Sequence, residues 1–332
     1  MYLAKFPRVE LATLPTALQP APRFSKALGG KVNIWIKRDD NSGLTLGGNK
    51  ARKLEFLLAD ALRQGCDTLI TTGGPQSNHC RMTAGAAAKL GLQCHLVFTS
   101  NEFDLRQGNL LLDELLGAQL HWRNPAEVDD ITREMSKLAS ELQAQGRRPY
   151  IIPLGGSNSL GAMGYVYAVR EFLQQADALG LQFSAFVHAS GSGGTQAGLL
   201  SGVLLNHLQT EVLGVSVSRP REVLEPTVIK LSKLVLSLLN CSIDPTEHVQ
   251  VLDNFVGEGY GIPTPASTEA LQLLARTEGL IIDPVYTAKA VAGLIHEVRA
   301  GRWPAGSNVL FWHTGGSPAL FADRIFWGGS NI

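Results

Sequence analysis

Short apolar runs rich in β-formers alternate along this chain with amphipathic stretches of helical period, and that alternation decides most of what the chain can become. Strand-like runs fall at 33–37 (NIWIK), 68–71 (TLIT), 95–99 (HLVFT), 150–154 (YIIPL), 185–189 (AFVHA), 212–217 (VLGVSV), 280–283 (LIID) and 309–313 (VLFWH). Helical stretches lie at 50–64 and near 79–90, 109–116, 131–144, 162–176, 195–207, 222–239, 268–277 and 286–299. The first is stopped by Gly65, a residue suited to the left-handed turn after a helix. Strands alternating with helices predict an α/β fold of mostly parallel sheets covered by helices. The strand runs are nearly continuous apolar stretches, as sheets covered on both faces require. Eight candidate strands in 332 residues exceed one convenient sheet, so two α/β lobes with a cleft between them are expected. Proline-rich breaks near 124–125 and 149–153 are candidate boundaries.

Composition narrows the function classes. Lys+Arg and Asp+Glu are both 29, so the net charge is zero and the basic excess of a nucleic-acid binder is missing. No apolar run is long enough for a transmembrane helix. The N-terminal MYLAKFPRVELA has no long apolar segment of the signal-peptide kind. The four cysteines form no CxxC and read as reduced, so a cytoplasmic protein is expected. The eight histidines are scattered without metal-ligand spacing, and no metal site is expected.

Glycine is in surplus, 35 residues, and it gathers at strand-to-helix junctions, where open α/β sheets bind ligands. Four junctions stand out: 47–50 (GGNK), 73–79 (GGPQSNH), 190–195 (SGSGGT) and 314–317 (TGGS). The third suits an anion, since glycines let backbone N–H groups turn inward at a helix's positive end. A dinucleotide fingerprint starting at Gly191 would need glycine where Gln196 stands, and no Walker A string exists. A single phosphate monoester is the natural guest. The residues alone also admit a tight turn with no ligand, or a non-catalytic protein that binds a phosphorylated metabolite.

Lys50 follows Gly47-Gly48-Asn49 at a predicted helix start. There the helix dipole and partial burial would depress its pKa and make it a usable amine nucleophile. Lys53 lies one turn along the same face, so one lysine could form an imine while the other holds a phosphate. Two solvated lysines on a basic helix start is the other reading. Ser77 and Asn78 sit at a predicted helix N-cap, as an ordinary cap or as groups offered to a ligand. Tyr260, among glycines in GEGYG, is an unusual core residue, whereas Tyr286 in DPVYT reads equally as a packed helix-start residue.

Seven motifs then carry a resemblance across nearly the whole chain: IKRDD, GGNKARKLE, QSNH, GSGGTQAG, GEGYGIP, DPVYTAK and HTGG, in that order. Together they resemble the pyridoxal-phosphate enzymes of the tryptophan-synthase β fold (fold type II). Within these they resemble the branch of 1-aminocyclopropane-1-carboxylate (ACC) deaminase, D-cysteine desulfhydrase and L-cysteate sulfo-lyase. The resemblance implies that Lys50 forms the imine with pyridoxal 5'-phosphate and shuttles the Cα proton. It implies that Gly191, Ser192, Gly193, Gly194 and Thr195 hold the phosphate with Lys53 nearby, and that Asn78 contacts the ring hydroxyl. Tyr286 would lie against the ring and Thr287 by its nitrogen. Ser77, Asn78, His79, Tyr260 and Thr314 would meet a small amino-acid substrate, Ser77 beside its carboxylate or beside the lysine. It also implies a large cofactor-binding domain of residues 1–50 and 161–332, a small α/β domain of residues 51–160, and a homodimer.

Two positions discriminate within the branch. The cyclopropane deaminases carry Glu where Thr287 stands and Leu where Thr314 stands. Ring opening starts on a Cα without hydrogen and gains from a carboxylate that keeps the ring nitrogen protonated. β-Elimination needs only one proton removed and a good leaving group, so the two threonines point to a carbon–sulfur lyase. D-cysteine is the expected substrate, with L-cysteate and ACC as alternatives. The segment 102–107 departs from the pattern of both lyases. A cysteate sulfonate would want a cation, for which Arg81, Arg219 and Arg221 are candidates. The C-terminal 325–332 (IFWGGSNI) reads as a dimer contact or a frayed tail.

Overall fold

The strand-like runs resolve into two sheets in a computed structural model, which describes residues 6–102, 104–124 and 130–322. The C-terminal stretch 325–332 and the break at Pro125 lie outside the described residues. In chain order the strands are β1 (Leu18–Pro20), β2 (Asn33–Lys37), β3 (Thr68–Gly73), β4 (Gln93–Thr99), β5 (Gln119–Arg123), β6 (Pro149–Ile151), β7 (Ala185–Ser190), β8 (Glu211–Ser216), β9 (Gln250–Leu252) and β10 (Asn308–Trp312). The helices are α1 (Pro22–Ala27), α2 (Lys50–Arg63), α3 (Asn78–Leu90), α4 (Gly108–Leu115), α5 (Ile131–Ala144), α6 (Ser159–Ala178), α7 (Gly194–Leu205), α8 (Arg221–Leu238), α9 (Pro265–Glu278) and α10 (Thr287–Arg299).

One sheet has the order β1-β2-β10-β7-β8-β9, and the other β5-β4-β3-β6. All pairings are parallel except β1 with β2. Every strand of the four-stranded sheet lies between residues 51 and 160, and every strand of the six-stranded sheet lies outside that span. Separate apolar clusters cover the two faces of the larger sheet. One includes Phe24, Ala270 and Leu294 of α1, α9 and α10, and the other Phe172, Leu199 and Leu224 of α6, α7 and α8. The strands are therefore buried on both sides, as their unbroken apolar character requires.

The structure departs from the sequence pattern at identifiable places. Residues 280–283 form no strand: Asp283 N donates to Thr287 Oγ1 at 2.7 Å, and Ile281 O pairs with the His313 ring at 3.1 Å. The backbone groups that a ladder would use are taken by side chains. The run at 150–154 gives a strand only to Ile151, because Pro153 has no N–H and Leu154–Gly156 turns into a 3-10 helix. The edge strands β1, β5 and β9 are short or polar, which hides them from an apolar-run criterion.

A buried ionic cluster ties α2 to the larger sheet. Arg52 makes a two-point contact with Asp39, Nε to Oδ2 at 2.9 Å and Nη2 to Oδ1 at 2.8 Å. It also reaches Glu171 of α6 through Nη1 and Nη2, both at 2.9 Å. Tyr165 and Trp312 donate to Asp39 Oδ2 at 2.7 and 2.8 Å, and Lys37 pairs with Glu171. Burial alone would raise the Asp39 carboxyl, but the Arg52 guanidinium outweighs it and pulls the group down to about 2. This cluster fixes the helix start that carries Lys50.

Candidate active site

A cleft of 430 Å³ opens where the C-terminal strand ends of both sheets face each other. It is lined by Thr72–Gly74 at the end of β3, Thr99 of β4, Ala189–Gly193 at the end of β7, Val217–Arg219 after β8, and Thr314 and Gly315 after β10. That is where parallel α/β sheets place ligands. Lys50, Lys53, Ser77, Asn78, His79, Gly191, Ser192, Gly193, Thr195, Tyr260, Tyr286 and Thr314 all line it. Gly194 lies immediately behind, at the first residue of α7.

Lys50 is delivered by a strained entry loop. Gly47 has φ +74°, and a Cβ there would lie 1.7 Å from Asp40 O, so only glycine fits. Gly48 N bonds Asp39 O at 3.0 Å, and Asn49 N bonds Thr314 O at 3.0 Å, which ties the loop to the segments after β2 and after β10. Lys50 Nζ donates to Asn49 Oδ1 at 3.0 Å, and Asn49 Nδ2 donates to Thr195 Oγ1 at 3.0 Å. Burial brings the Lys50 amine down to about 8; the Arg81 guanidinium adds to the fall and the Asp283 carboxylate opposes it. A useful fraction of the amine is therefore unprotonated near neutral pH.

Lys53 is buried deeper, 1% exposed. Its Nζ donates to Gly155 O and Ser157 Oγ, both at 3.2 Å, and among the described residues no carboxylate pairs with it. Burial and then the neighbouring Lys50 push its amine well below the usual lysine range. Ser157 Oγ in turn bonds Ser192 Oγ at 2.7 Å. A Cβ on Gly194 would stand 2.5 Å from Ser157 Oγ and 2.8 Å from Lys53 Nζ. The glycine thus keeps a helix N-terminus, two serines and an ammonium in one small space, a seat for an anion.

Ser77 caps α3, its Oγ accepting from Cys80 N at 3.3 Å. Asn78 Oδ1 accepts from Asn109 Nδ2 at 3.0 Å, which orients the amide in the cleft wall. His79 Nε2 is bonded to Thr71 Oγ1 at 2.8 Å, and burial, with Lys50 and Lys53 beside it, holds the ring neutral. Tyr260 and Tyr286 hydrogen-bond through their hydroxyls, with rings edge to face. Although 48% of the Tyr260 surface is exposed, desolvation at its hydroxyl raises the phenol to about 12. Tyr286 is raised too, by burial and then by Tyr260.

Three expected residues sit elsewhere than expected. Thr287 is fully buried and does not line the cleft; its hydroxyl accepts from Asp283 N and donates to Asp283 Oδ1 at 2.5 Å. Arg81 is fully buried behind the wall, with Nη2 on Gly47 O at 3.1 Å, and so meets no substrate directly. Arg221 pairs at the surface with Glu225 at 2.6 Å. Arg219 alone of the three arginines lines the cleft.

Other contributors were given no role by the motif reading. Asn49 bridges Lys50 and Thr195, and the stretch Gly155-Gly156-Ser157 supplies both partners of Lys53. Another glycine cluster, GGSNS at 155–159, was the signal for the latter stretch in the sequence. Asp283 opens the DPVYTAK motif, but its role was hidden because its place beneath the site depends on how α10 packs.

The chain belongs to the pyridoxal-phosphate-dependent enzymes: the family model "Pyridoxal-phosphate dependent enzyme" matches residues 9–315. Within that class it is 47% identical over 329 residues to the D-cysteine desulfhydrase of Salmonella choleraesuis (strain SC-B67), covering 97% of each chain. It is 46% identical over 328 residues to the D-cysteine desulfhydrase of Salmonella typhi, again covering 97% of each. A solved structure of an "ACC deaminase homologue" superposes with a TM-score of 0.88 at 38% identity, over 96% of this chain and 95% of that one. A solved threonine deaminase from T.th. shares the fold, with a TM-score of 0.65 at 20% identity over 91% of this chain and 92% of that one. The resemblance carried by the seven motifs is borne out, and so are the two-lobed α/β class and the cofactor. The reading as a non-catalytic binder of a phosphorylated metabolite gives way to an enzyme.

The residues present fit pyridoxal phosphate. A buried ammonium without a carboxylate is costly by itself, and an adjoining phosphate dianion would repay that cost. When bound, the cofactor supplies an electron-withdrawing ring that makes the Cα–H bond of an attached amino acid acidic.

Proposed function

We propose that this protein is a D-cysteine desulfhydrase, converting D-cysteine and water to pyruvate, hydrogen sulfide and ammonia. The observation that carries the assignment is the 46–47% identity to desulfhydrases over nearly the full length of both chains. The site supports an elimination. In this reading Lys50 would hold the cofactor, and its amine, once the substrate's amine has displaced it, would take the Cα proton. Gly191, Ser192, Gly193, Gly194 and Thr195 hold the phosphate with Lys53, and Asn78 meets the ring. Ser77, Asn78, His79 and Thr314 position the substrate. The Tyr260–Tyr286 pair stays protonated at neutral pH and presents an O–H to the departing sulfur. Thr287 acts from behind the wall, by fixing Asp283, rather than by touching the ring.

Among the described residues Arg219 is the single arginine in the cleft lining, so of the three candidate cations it is the one placed for a sulfonate, and L-cysteate stays in the product panel. The 0.88 superposition on an ACC deaminase homologue favours that deaminase as the second reading. A panel decides: sulfide from D-cysteine, sulfite from L-cysteate, 2-oxobutyrate from ACC. Sulfide from D-cysteine as the dominant product is the expected result; 2-oxobutyrate dominating would replace it. We further propose that the enzyme works as a homodimer in the cytoplasm, built from a large domain of residues 1–50 and 161–332 and a small one of residues 51–160. No described helix is long and apolar enough to cross a membrane. A sedimentation measurement returning a monomer would overturn the dimer.

A further inference from the structure

Lys289 is a buried cation that the chemistry above does not use. It lies in the first turn of α10, where the helix's positive end disfavours an ammonium, and its side chain is fully buried. Lysine tolerates such a place only when strong acceptors replace its water. Here Nζ donates to Val256 O at 2.7 Å and to Gly259 O at 2.8 Å. These carbonyls flank the two-residue turn Gly257-Glu258, immediately before Tyr260.

The turn has little else to hold it. Its own backbone bonds are Val256 N to Asp253 O at 3.2 Å and Ile262 N to Gly259 O at a long 3.4 Å. Gly257, Gly259 and Gly261 offer no side chains to pack, and two of them take positive φ. The Tyr260 ring is half exposed, so ring burial does not anchor it either.

We propose that Lys289 is the positioning residue for Tyr260, its ammonium stapling the carbonyls of Val256 and Gly259 so that the glycine turn presents the Tyr260 hydroxyl to Tyr286 over the cleft. The same helix carries Thr287, whose contact with Asp283 fixes the segment bearing Tyr286. One turn of α10 thereby sets both phenols. The kinetic half of this inference rests on Tyr260 facing the substrate, as proposed above; the structural half does not.

The test compares holoenzyme forms of the wild type, Lys289→Met, Tyr260→Phe and the double variant. Hydrogen–deuterium exchange read over residues 256–261 should rise about tenfold in Lys289→Met while the remaining helices keep their protection. On kcat/KM for D-cysteine, Lys289→Met should cost about tenfold in the wild-type background and under about twofold in the Tyr260→Phe background, since both changes act through one hydroxyl. Lys289→Gln keeps two N–H donors and should recover part of both losses; it takes over the comparison if the methionine variant does not fold. Unchanged exchange at 256–261, or an equal kinetic cost in both backgrounds, overturns the proposal. A wild-type enzyme inactive on D-cysteine would refute the substrate assignment while leaving the exchange comparison to decide the staple.

Discussion

Replacing Lys53 by methionine should leave the cofactor-free protein nearly as stable as before and weaken the cofactor-bound one. Without cofactor, Lys53 sits desolvated beside two neutral oxygens, Gly155 O and Ser157 Oγ, each at 3.2 Å. Burial, and then the neighbouring Lys50, push its amine well below the usual lysine range, because an unpaired buried charge is disfavoured. Methionine gives up two neutral hydrogen bonds, about 1 kcal/mol each, and removes the desolvation penalty, so apoprotein stability should change by under about 1 kcal/mol. In the proposed role the ammonium would face the cofactor phosphate, and a hydrogen bond to a charged group is worth about 1.5–3 kcal/mol. Its loss should weaken pyridoxal phosphate binding about 10- to 150-fold. The pH dependence has a defined sign. The unfolded lysine keeps its proton up to 10.5 while the folded one loses it earlier, so apoprotein stability rises with pH across that window. The variant should lose the Lys53 share of that rise. Absorbance titration of apoprotein with cofactor, and thermal unfolding of both forms, read the result. Binding within threefold of the wild type, or an apoprotein destabilised as much as the holoenzyme, would refute the reasoning.

Gly194→Ala would drive a Cβ to 2.5 Å from Ser157 Oγ; the fold should survive and cofactor affinity should drop about tenfold or more, at about 1.4 kcal/mol per decade, measured by the same titration. Arg81→Gln removes one cause that lowers the Lys50 amine, so its pKa should climb above the present value of about 8. The midpoint of apoprotein inactivation by an amine-directed reagent then shifts to higher pH, and a midpoint that stays put would count against the Arg81 contribution. Asp39→Asn leaves Arg52 and Lys37 short of a buried counter-charge and should cost about 3–5 kcal/mol in urea unfolding. Because the Asp39 carboxyl is held near 2 against 3.8, its stabilisation is fully present above 3.8 and disappears as pH falls toward 2. The variant's stability should therefore be flatter than the wild type's across that range.

Local signals for much of the site were legible in the residues. Gly47 shows why: a turn that leaves no room for a Cβ admits one residue type, so glycine clusters mark close approaches wherever they occur. Ser77 was legible as a helix cap because capping is decided within four residues. Lys50 was legible as a lysine at a helix start following such a turn. Residues 280–283 were misleading because LIID has the composition of a strand, while its backbone partners come from Thr287 and His313 in other elements.

The alternation of core strands and helices with glycine turns, and with it the two-lobed α/β class, follows from the sequence alone, because propensity, patterning and backbone sterics act over a few residues at a time. Which lysine lies against neutral oxygens, which threonine faces a carboxylate and which arginine stays in the cleft follow only from the tertiary structure. Lys53 and Lys289 are ordinary helix lysines until the Gly155–Ser157 turn and the 256–261 loop close over them. Arg81 and Arg219 differ by one being sealed behind Gly47 and the other lining the cleft. Charge, desolvation and hydrogen-bond supply depend on neighbours brought from a hundred residues away, and those neighbours exist only once the two sheets have met.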